Sequence, residues 1–504
     1  MNGKVYLVGA GPGDPGLLTI KGLACIRKAD VLVYDYLASP TLLKYADTDA
    51  EKIYVGKKGG DHTLSQDGIN DLIAQKALEG HIVTRLKGGD PFIFGRGGEE
   101  AEVLIAKGIP FEVVPGVTSA IAAPAYAGIP LTHRKFTSNL AFVTGHEDPT
   151  KDQSSIDWEA LARGIGTLVF LMGVKNLPHI VQKLRAHGRS PDTPVALVRW
   201  GTTLRQKTVT GTLDTIVAAV EKAGLKAPAV IVVGDVVSLR QTMQWFENKP
   251  LMGKKIVVTR AREQASNLVD ALMELGAQCL EYPTIEVVPP EDWQPLDAAI
   301  ENLQRYDWLV FTSVNGVKYF FKRLFEKGLD VRALGALKTA VIGPVTKARL
   351  AEFGIIADIL PKSYRAESVV DAFSSQALQG KKVLLPRARE ARAILPVELE
   401  KMGAAVDEIT TYITRPVSSG ADELASRLRD GEVDLITFTS SSTVTNFKAL
   451  LPASGWDDLL ANVRIASIGP ITTETAQSLG FKVDITAETY TIPGLCTAIV
   501  DACR

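Results

Sequence analysis

Short apolar runs alternate with helix-length segments along the first half of the chain. The runs lie at 5–8, 31–34, 52–58, 82–86, 139–144, 167–172, 195–198 and 230–233. Their lengths favour strands with helices between them. The pattern predicts two α/β lobes, at about 1–115 and 116–245, with a ligand cleft between them.

A glycine-rich stretch follows the apolar run at 82–86. Five of the eleven residues from Gly88 to Gly98 are glycines, which let the backbone turn sharply and approach a ligand closely. Asp90 offers a carboxylate at the carboxyl end of a strand, where open α/β sheets bind ligands. Arg96 offers a guanidinium group, a planar cation whose N–H donors lie in a fixed geometry. The stretch predicts a ligand site rather than a surface turn.

A second glycine-rich loop, at 11–16, satisfies the pattern G-x-G-x-x-G. Asp35 ends the next predicted strand at about the place of a ribose-binding acid, an arrangement typical of dinucleotide sites. Pro12 and Pro15, however, remove N–H donors from the loop that should hold a pyrophosphate. A nicotinamide enzyme therefore stays open as the alternative function.

The second half of the chain repeats itself after a polar, proline-bearing stretch at 246–252, which predicts a linker. The segment that begins at Gly253 returns at Gly380, an offset of 380 − 253 = 127. The segment that begins at Asp307 returns at Asp434, and 434 − 307 is again 127. A duplication of this period predicts two similar α/β lobes, each with a parallel, flavodoxin-like sheet.

Polar residues cluster at the predicted strand ends of this half. They are Thr259, Arg260, Ser313, Asn315, Thr439, Ser440 and Thr472. Helix N-termini beside such residues offer N–H donors to a polyanion, so the pattern predicts recognition of substrate carboxylates. The hydroxyls can instead cap the following helices, and capping is the role that the pattern favours for most of them.

Composition and charge restrict the function further. A chain of 504 residues with 46% hydrophobic residues predicts several domains, and a net charge of −1 gives no general attraction for nucleic acid. The four cysteines form no C-x-x-C pair and the six histidines show no ligand spacing, so no metal site is predicted. The N-terminus runs directly into a strand and no apolar run is long enough for a bilayer, which predicts a cytoplasmic protein.

Four motifs of the first half resemble those of the tetrapyrrole methyltransferases, and most closely the uroporphyrin-III C-methyltransferases. They are Val-Gly-Ala-Gly-Pro-Gly-Asp at 8–14, the glycine-rich string at 88–100, Pro-Gly-Val-Thr-Ser-Ala at 115–120 and Gly-Ile-Pro-Leu-Thr-His-Arg at 128–134. The resemblance implies S-adenosyl-L-methionine as the methyl donor, with S-adenosylhomocysteine as its product. It also implies two methyl transfers to uroporphyrinogen III, giving precorrin-2, and a homodimer. This sequence has Leu171 directly before Met172, at a position where the family often has an aromatic residue.

The resemblance also assigns site residues. Contacts with the methyl donor fall on Pro12, Gly88, Gly89, Asp90, Ile93, Thr118, Ser119, Met172, Gly201 and Ala229. The family's proton acceptor and donor match Asp35 and Lys57. Because guanidinium binds carboxylate bidentately, Arg85, Arg96 and Arg134 are predicted to bind the substrate's carboxylates, with a solvated surface role as the alternative.

The second half resembles the uroporphyrinogen-III synthases over residues 253–504. The Phe-Thr-Ser strings, the Ile-Gly-Pro turns, Tyr412 and the closing segment at 490–495 carry this resemblance. It implies one lobe from 253–285 with 413–504 and another from 286–412.

The implied reaction of this half is loss of water from hydroxymethylbilane and closure of the macrocycle with inversion of the last ring. Tyr412 is the candidate for helping the hydroxyl leave, and an interface aromatic is its alternative role. A two-lobed ligand sensor is the alternative for this half. Together the halves predict a bifunctional enzyme on the route to sirohaem and cobalamin.

Overall fold

The computed structural model describes residues 3–56, 64–146, 155–260, 262–335, 337–361, 366–374, 376–391, 393–417 and 420–504. The chain divides into two compact units, 1–254 with 274–278 and 255–273 with 279–504. Within the described residues, four five-stranded sheets form, two in each half of the sequence. None of the described helices is long and apolar enough to cross a membrane.

The first lobe is an α/β layer built on a parallel sheet. Its strands are β1 (Lys4–Gly9), β2 (Val31–Tyr34), β3 (Glu51–Tyr54), β4 (Ile82–Lys87) and β5 (Phe111–Val114), in the order β3-β2-β4-β1-β5. Its helices are α1 (Ile20–Lys28), α2 (Gln66–Leu78) and α3 (Gly97–Ala106), with short 3-10 helices at Pro15–Leu17 and Pro40–Tyr45. Leu7, Val33 and Val83 are fully buried in its core, and the carboxyl ends of β1, β4 and β5 open onto the glycine-rich loops.

The second lobe carries a mixed sheet. Its helices are α4 (Ser119–Tyr126), α5 (Trp158–Gly164), α6 (Leu177–Ala186), α7 (Ile216–Lys222) and α8 (Arg240–Met243), preceded by a 3-10 helix at Asp235–Leu239. Its strands are β6 (Leu140–Thr144), β7 (Thr167–Leu171), β8 (Pro194–Arg199), β9 (Lys207–Thr212) and β10 (Ala229–Val233), in the order β6-β7-β10-β8-β9. The apolar runs do not predict β9, because this threonine-rich edge strand has no apolar run and follows β8 through a hairpin instead of a helix.

The second unit contains the remaining elements. Its strands are β11 (Lys255–Val258), β12 (Gln278–Glu281), β13 (Ile285–Val288), β14 (Trp308–Phe311), β15 (Lys338–Val341), β16 (Lys382–Ala388), β17 (Ala405–Pro416), β18 (Leu435–Phe438), β19 (Arg464–Ser467) and β20 (Ile485–Thr486). Its helices are α9 (Arg262–Glu274), α10 (Gln294–Glu301), α11 (Val314–Glu326), α12 (Pro344–Ala351), α13 (Ala366–Phe373), α14 (Ile394–Lys401), α15 (Ala421–Arg429), α16 (Ser441–Leu450), α17 (Trp456–Leu459), α18 (Pro470–Ser478) and α19 (Ile492–Cys503), with 3-10 helices at Leu303–Arg305 and Val331–Leu334.

The two sequence repeats exchange strands in this unit. One sheet has the order β12-β11-β18-β19-β20 and the other has the order β13-β17-β16-β14-β15. Strands β11 and β12 begin at residues 255 and 278, and β16 and β17 begin at 382 and 405, so both offsets are 127. Each sheet therefore combines strands from both copies of the duplication, and the predicted duplication is visible in the fold.

One strand pair departs from the predicted parallel arrangement. Strand β13 runs antiparallel to the end of the long strand β17, with Val288 opposite Ile413. These two strands lead into and out of the same lobe, so their chain directions are opposite. The other recorded strand pairs in this sheet are parallel.

Candidate active sites

Three glycine-rich loops meet at the carboxyl edge of the first sheet. The N–H of Gly89 donates to the carbonyl of Gly11 at 2.7 Å, and the N–H of Gly11 donates to the carbonyl of Gly89 at 3.2 Å. A Cβ on Gly9 would lie 2.5 Å from the Cα of Gly116. A side chain at Gly9 or Gly116 would separate the loops, so glycine is needed at these two positions for their contact.

Asp90 fixes the shape of this junction. Its Oδ1 accepts hydrogen bonds from the N–H groups of Phe92 at 2.8 Å and Ile93 at 3.1 Å, and its Oδ2 accepts from the N–H of Gly116 at 3.0 Å. The carboxylate therefore ties the loop after β4 to the loop after β5.

A cavity of about 540 Å³ lies between the two lobes of the first unit, and we call it the inter-lobe cavity. Ligand sites in proteins commonly have this size. The cavity wall includes seven of the predicted contacts with the methyl donor: Pro12, Gly88, Gly89, Ser119, Met172, Gly201 and Ala229. The structure thus brings together residues that are distant in the sequence.

The other three predicted contacts lie outside the described lining of this cavity. Asp90 holds the loop backbone, Ile93 is exposed, and Thr118 caps α4 by accepting from the N–H of Ala120 at 3.3 Å. Asp90 and Thr118 therefore support the loops that carry lining residues. Their direct contact with a ligand stays a prediction.

The loop at 11–16 differs from a dinucleotide site. It leads into the 3-10 turn Pro15–Leu17, and α1 begins only at Ile20, with the side chain of Thr19 as its N-cap. A pyrophosphate would require N–H groups at a helix N-terminus directly after the loop. The geometry therefore does not favour the nicotinamide alternative.

A second cavity, of about 590 Å³, adjoins the first at Met172, which lines both. Its wall also includes Phe92, Phe94, Arg96 and Glu99. Arg96 binds Glu99 through two hydrogen bonds of 2.9 and 2.6 Å. Because both side chains are exposed, such a pair is weak and can open for another carboxylate.

Asp35 is held by a buried ionic cluster. Arg85 donates from Nη2 to Asp35 Oδ2 at 3.0 Å and from Nε to Glu100 Oε1 at 3.3 Å. Lys87 donates to the same Glu100 oxygen at 2.6 Å. Burial lowers the pKa of Lys87, and the charge of Arg85 lowers it further. This pairing keeps charges in a region from which water is excluded.

Arg85 requires a correction of the sequence prediction. Its residue is only 3% exposed, and its third nitrogen group donates to the carbonyl of Leu86 at 3.0 Å. Arg85 therefore holds Asp35, and its guanidinium group is not available to bind a substrate carboxylate. Arg134 is exposed, in accordance with a solvent-facing cation. Lys57 lies outside the described residues.

Several residues near the cavities have unusual backbone conformations. The non-glycine residues with positive φ in the described chain are Phe94, Arg96, Met172, Trp200 and Thr202. All but Thr202 line one of the two cavities. Strained conformations persist where the surrounding structure enforces them, often at ligand sites.

In the second unit, Tyr412 forms a hydrogen-bonded pair with Ser313. The two hydroxyls are 2.9 Å apart, and Ser313 also accepts from the N–H of Gly316 as the N-cap of α11. The ring of Tyr412 stacks on Tyr319 with a centroid distance of 5.9 Å. Burial raises the pKa of Tyr412, so its phenol stays protonated at neutral pH and available as a donor.

Four more of the predicted polar residues lie at or near the N-termini of helices α11, α16 and α18. Ser440 caps α16 in a reciprocal capping box with Thr443. Thr439 is partly exposed beside it, whereas Asn315 and Thr472 are buried in α11 and α18. The capping role that the sequence favours is thus present at Ser313 and Ser440.

Thr259 requires a second correction. Its side chain is fully buried, and its hydroxyl donates to the carbonyl of Thr437 at 2.7 Å. This bond ties the residue that follows β11 to the neighbouring strand β18, so Thr259 stabilises the sheet and does not reach a ligand. Arg260, the next residue, is partly exposed, and burial lowers the pKa of its guanidinium.

Comparisons with known proteins match this division of the chain. A family model described as tetrapyrrole (corrin/porphyrin) methylases matches residues 4–217, and one described as uroporphyrinogen-III synthase HemD matches residues 266–497. The porphyrin biosynthesis protein HemD of Ruminiclostridium josui is 41% identical over 500 residues, covering 99% of this chain and 98% of that protein.

The chain belongs to this porphyrin biosynthesis family. An S-adenosyl-L-methionine-dependent uroporphyrinogen III methyltransferase of Methanosarcina barkeri is 57% identical over 241 residues, covering 48% of this chain and 94% of that protein. The crystal structure of uroporphyrin-III C-methyl transferase from Thermus thermophilus with S-adenyl homocysteine is 40% identical and covers 47% of this chain and 100% of that chain, with a TM-score of 0.41. The resemblance predicted from the motifs is confirmed for both halves.

Sequence reasoning about the methylase half missed several lining residues. Tyr36 and Trp200 make an edge-to-face contact of 5.7 Å in the wall of the inter-lobe cavity, and Arg205 lies over the Trp200 ring at 4.3 Å. The sequence did contain a signal for both aromatic residues, because each is adjacent to a predicted site residue: Tyr36 follows Asp35, and Trp200 precedes Gly201. In the synthase half, the partner of Tyr412 was unpredictable because Ser313 lies 99 positions away in the sequence.

Proposed function

We propose that this protein is a bifunctional tetrapyrrole enzyme. The second half cyclises hydroxymethylbilane to uroporphyrinogen III, with loss of water and inversion of the last ring. The first half transfers two methyl groups from S-adenosyl-L-methionine to that product, giving precorrin-2. The observation that carries the proposal is the match of one porphyrin biosynthesis protein to 99% of the chain, with the two family models on separate halves.

The inter-lobe cavity is chemically suited to S-adenosyl-L-methionine. The lining of this cavity combines glycines and prolines with apolar side chains such as Leu171 and Val198. Because S-adenosyl-L-methionine carries no phosphate, its binding requires no phosphate-binding loop. When bound, this donor supplies an electrophilic sulfonium methyl group. The chain's own task is to hold donor and acceptor in line and to exclude water, which accounts for large rate effects.

Met172 marks the proposed point of transfer. It lines both the inter-lobe cavity and the second cavity. We assign the first cavity to the methyl donor and the second to the tetrapyrrole, whose rings would contact Phe92 and Phe94. Arg96, released from Glu99, would bind one substrate carboxylate, and exposed Arg134 is a further carboxylate ligand in this proposal.

Asp35 is the proposed proton acceptor of the methylase half. Its Oδ1 accepts from the N–H of Leu37 at 3.0 Å, and Arg85 holds its Oδ2 at 3.0 Å. Both contacts orient the carboxylate next to Tyr36 and Leu37 in the cavity wall. A carboxylate in a fixed position suits removal of a proton from the methylated ring. Lys57 keeps its proposed role as donor.

Tyr412 is the proposed catalytic residue of the synthase half. Its protonated phenol can donate to the departing hydroxyl of the bilane, and the Ser313 hydroxyl holds it in place at 2.9 Å. Ser440, Thr439 and Arg260 are proposed to bind substrate carboxylates at the strand ends, where helix N-termini add N–H donors.

Two measurements test these assignments separately. Titration calorimetry of the full chain is expected to detect S-adenosylhomocysteine binding and no NAD binding; the reverse would support the nicotinamide enzyme. Incubation with hydroxymethylbilane alone is expected to yield the type III macrocycle. Recovery of the type I isomer, which forms without an enzyme, together with tight bilane binding, would support the sensor alternative.

A homodimer formed through the methylase half and a cytoplasmic location complete the proposal. Family resemblance supports the dimer. Light scattering of the purified chain is expected to give twice the 54.2 kDa of one chain. A monomer mass would contradict it. Cell fractionation is expected to recover the protein without membranes.

A further inference from the structure

The segment predicted to be a linker contains a carboxylate that is part of the first unit. Oε1 of Glu247 accepts from Nε2 of Gln206 at 2.8 Å and from Oγ1 of Thr208 at 2.5 Å. Its Oε2 pairs with Arg240. These contacts use both oxygens of a side chain that is 18% exposed.

The neighbours of Glu247 anchor it. Phe246 is 4% exposed and Leu251 is fully buried, so the stretch 246–252 differs from the predicted linker. The indole N–H of Trp245 donates to the carbonyl of Ala125 at 3.0 Å. Polar and proline residues suggested a linker, but the two apolar side chains bind the stretch to the fold.

Gln206 extends the contact from Glu247 towards the inter-lobe cavity. Its Oε1 accepts from the N–H of Thr202 at 2.8 Å, while its Nε2 is held by Glu247. The two ends of one planar amide are therefore fixed by different partners. Gln206 is 8% exposed and Thr202 is 3% exposed, so water does not compete freely for these bonds.

Thr202 connects the two walls of the cavity. It has a strained φ of +71° and directly follows Gly201, a lining residue. Its Oγ1 accepts from the N–H of Asp14 at 3.1 Å, in the glycine-rich loop that carries Pro12. The hydrogen bonds thus run from Glu247 through Gln206 and Thr202 to the loop after β1.

We propose that Glu247 is a positioning residue for the S-adenosyl-L-methionine site. Through Gln206 it holds the strained turn at Gly201 and Thr202 against the loop at 11–16, so the cavity is formed before the ligand enters. Neither Glu247 nor Gln206 is among the residues that line the cavity. The inference rests on the proposed function of the first half.

The test measures S-adenosylhomocysteine binding to the full chain by calorimetry. Glu247→Ala and Gln206→Ala are each expected to raise the Kd for S-adenosylhomocysteine about tenfold. Each variant removes a buried hydrogen bond from the connection that runs from Glu247 through Gln206 to Thr202. The double variant is expected to bind no more weakly than the weaker single variant. Asn248→Ala is the matched control, since among the described residues its side chain donates only to the carbonyl of Gln244, at 2.7 Å.

A conservative variant separates positioning from loss of fold. Glu247→Gln keeps an oxygen for Gln206, so its Kd is expected between those of the wild type and Glu247→Ala. Equal Kd values for Glu247→Ala and the wild type, additive losses in the double variant, or equal losses in Glu247→Gln and Glu247→Ala would overturn the inference. Absence of binding by the wild type would instead overturn the proposed function, and with it this inference.

Discussion

In the methylase half the candidate site is shaped by backbone, whereas in the synthase half it depends on side-chain hydroxyls at strand ends. A Cβ on Gly201 would lie 2.3 Å from the Cβ of Ala123, so the cavity wall admits no side chain there. In the synthase half, Ser313 bonds Tyr412, and Ser440 caps a helix at the position 440 − 313 = 127 residues later.

This difference explains why the two sites are unequally visible in the sequence. A close backbone approach requires glycine, so the methylase half carries dense and specific glycine motifs. A hydroxyl that caps a helix or binds a carboxylate can come from several residue types. Motifs of the synthase half are therefore weaker, although its fold repeats the same strand pattern twice.

Substitution of a cavity glycine is expected to have the largest effect. Gly201→Ala places a Cβ against Ala123, which forces the turn away from α4 and misaligns the donor. We expect methyl transfer to fall by at least about 100-fold, since displacement of a reacting group by about 1 Å has such a cost. Methylation of uroporphyrinogen III measures it, and cyclisation of hydroxymethylbilane should be unchanged.

The matched control is Gly164→Ala. Gly164 lies in the same half at the end of α5, lines neither described cavity, and a Cβ there would have no atom within 4 Å. Its methyl transfer should stay near the wild-type rate. If both variants lost methyl transfer equally, the claim that close backbone contact shapes the methylase site would be wrong.

Removal of the Tyr412 hydroxyl is the corresponding experiment in the synthase half. Tyr412→Phe keeps the ring stacked on Tyr319 but loses the donor for the leaving hydroxyl. We expect the kcat of cyclisation to fall about 100-fold, the range of general acid catalysis, while methyl transfer is unchanged. An unchanged kcat would assign Tyr412 to packing alone.

A smaller effect is expected from Ser313→Ala. The variant loses the hydrogen bond to Tyr412 and the N-cap of α11, whose loss costs about 1 kcal/mol of stability. We expect cyclisation to slow about tenfold. Thr491→Ala removes the N-cap of α19 in the same unit, where Thr491 accepts from the N–H of Gly494 at 3.2 Å, so an equally slow Thr491→Ala would contradict a specific positioning role.

The smallest effect concerns the alkaline stability of the synthase half. Burial raises the pKa of the Cys279 thiol from 9.0 to about 12. Between pH 9 and about 12 the Cys279 thiol of the folded protein therefore keeps its proton, whereas the thiol of the unfolded chain has lost it. The contribution of this neutral thiol to the free energy of unfolding is complete below pH 9 and is lost as the pH rises from 9 to about 12.

Urea unfolding on both sides of pH 9 measures this contribution. Cys279→Val should lose less stability than the wild type when the pH rises through this range. Cys503→Val is the control and should follow the wild type. Parallel losses in Cys279→Val and the wild type would exclude the thiol as the cause.

Sequence reasoning predicted the α/β class, the glycine loops and the repeat because each leaves a local pattern. It missed β9, whose alternating threonines contain no apolar run, and it assigned Arg85 to substrate because the buried carboxylate of Glu100 lies 15 residues away on α3. It described Glu247 as linker because the contact with Gln206 spans 41 residues. Tertiary partners, unlike local patterns, cannot be read from one sequence.

The most direct test of bifunctionality is one anaerobic incubation of the wild-type chain with fresh hydroxymethylbilane and S-adenosyl-L-methionine, followed by mass and isomer analysis. The proposed function predicts a dimethylated product of the type III series. Unmethylated type III macrocycle would contradict the function of the first half, and a type I product would contradict that of the second. Unconsumed methyl donor with only type I macrocycle would contradict both.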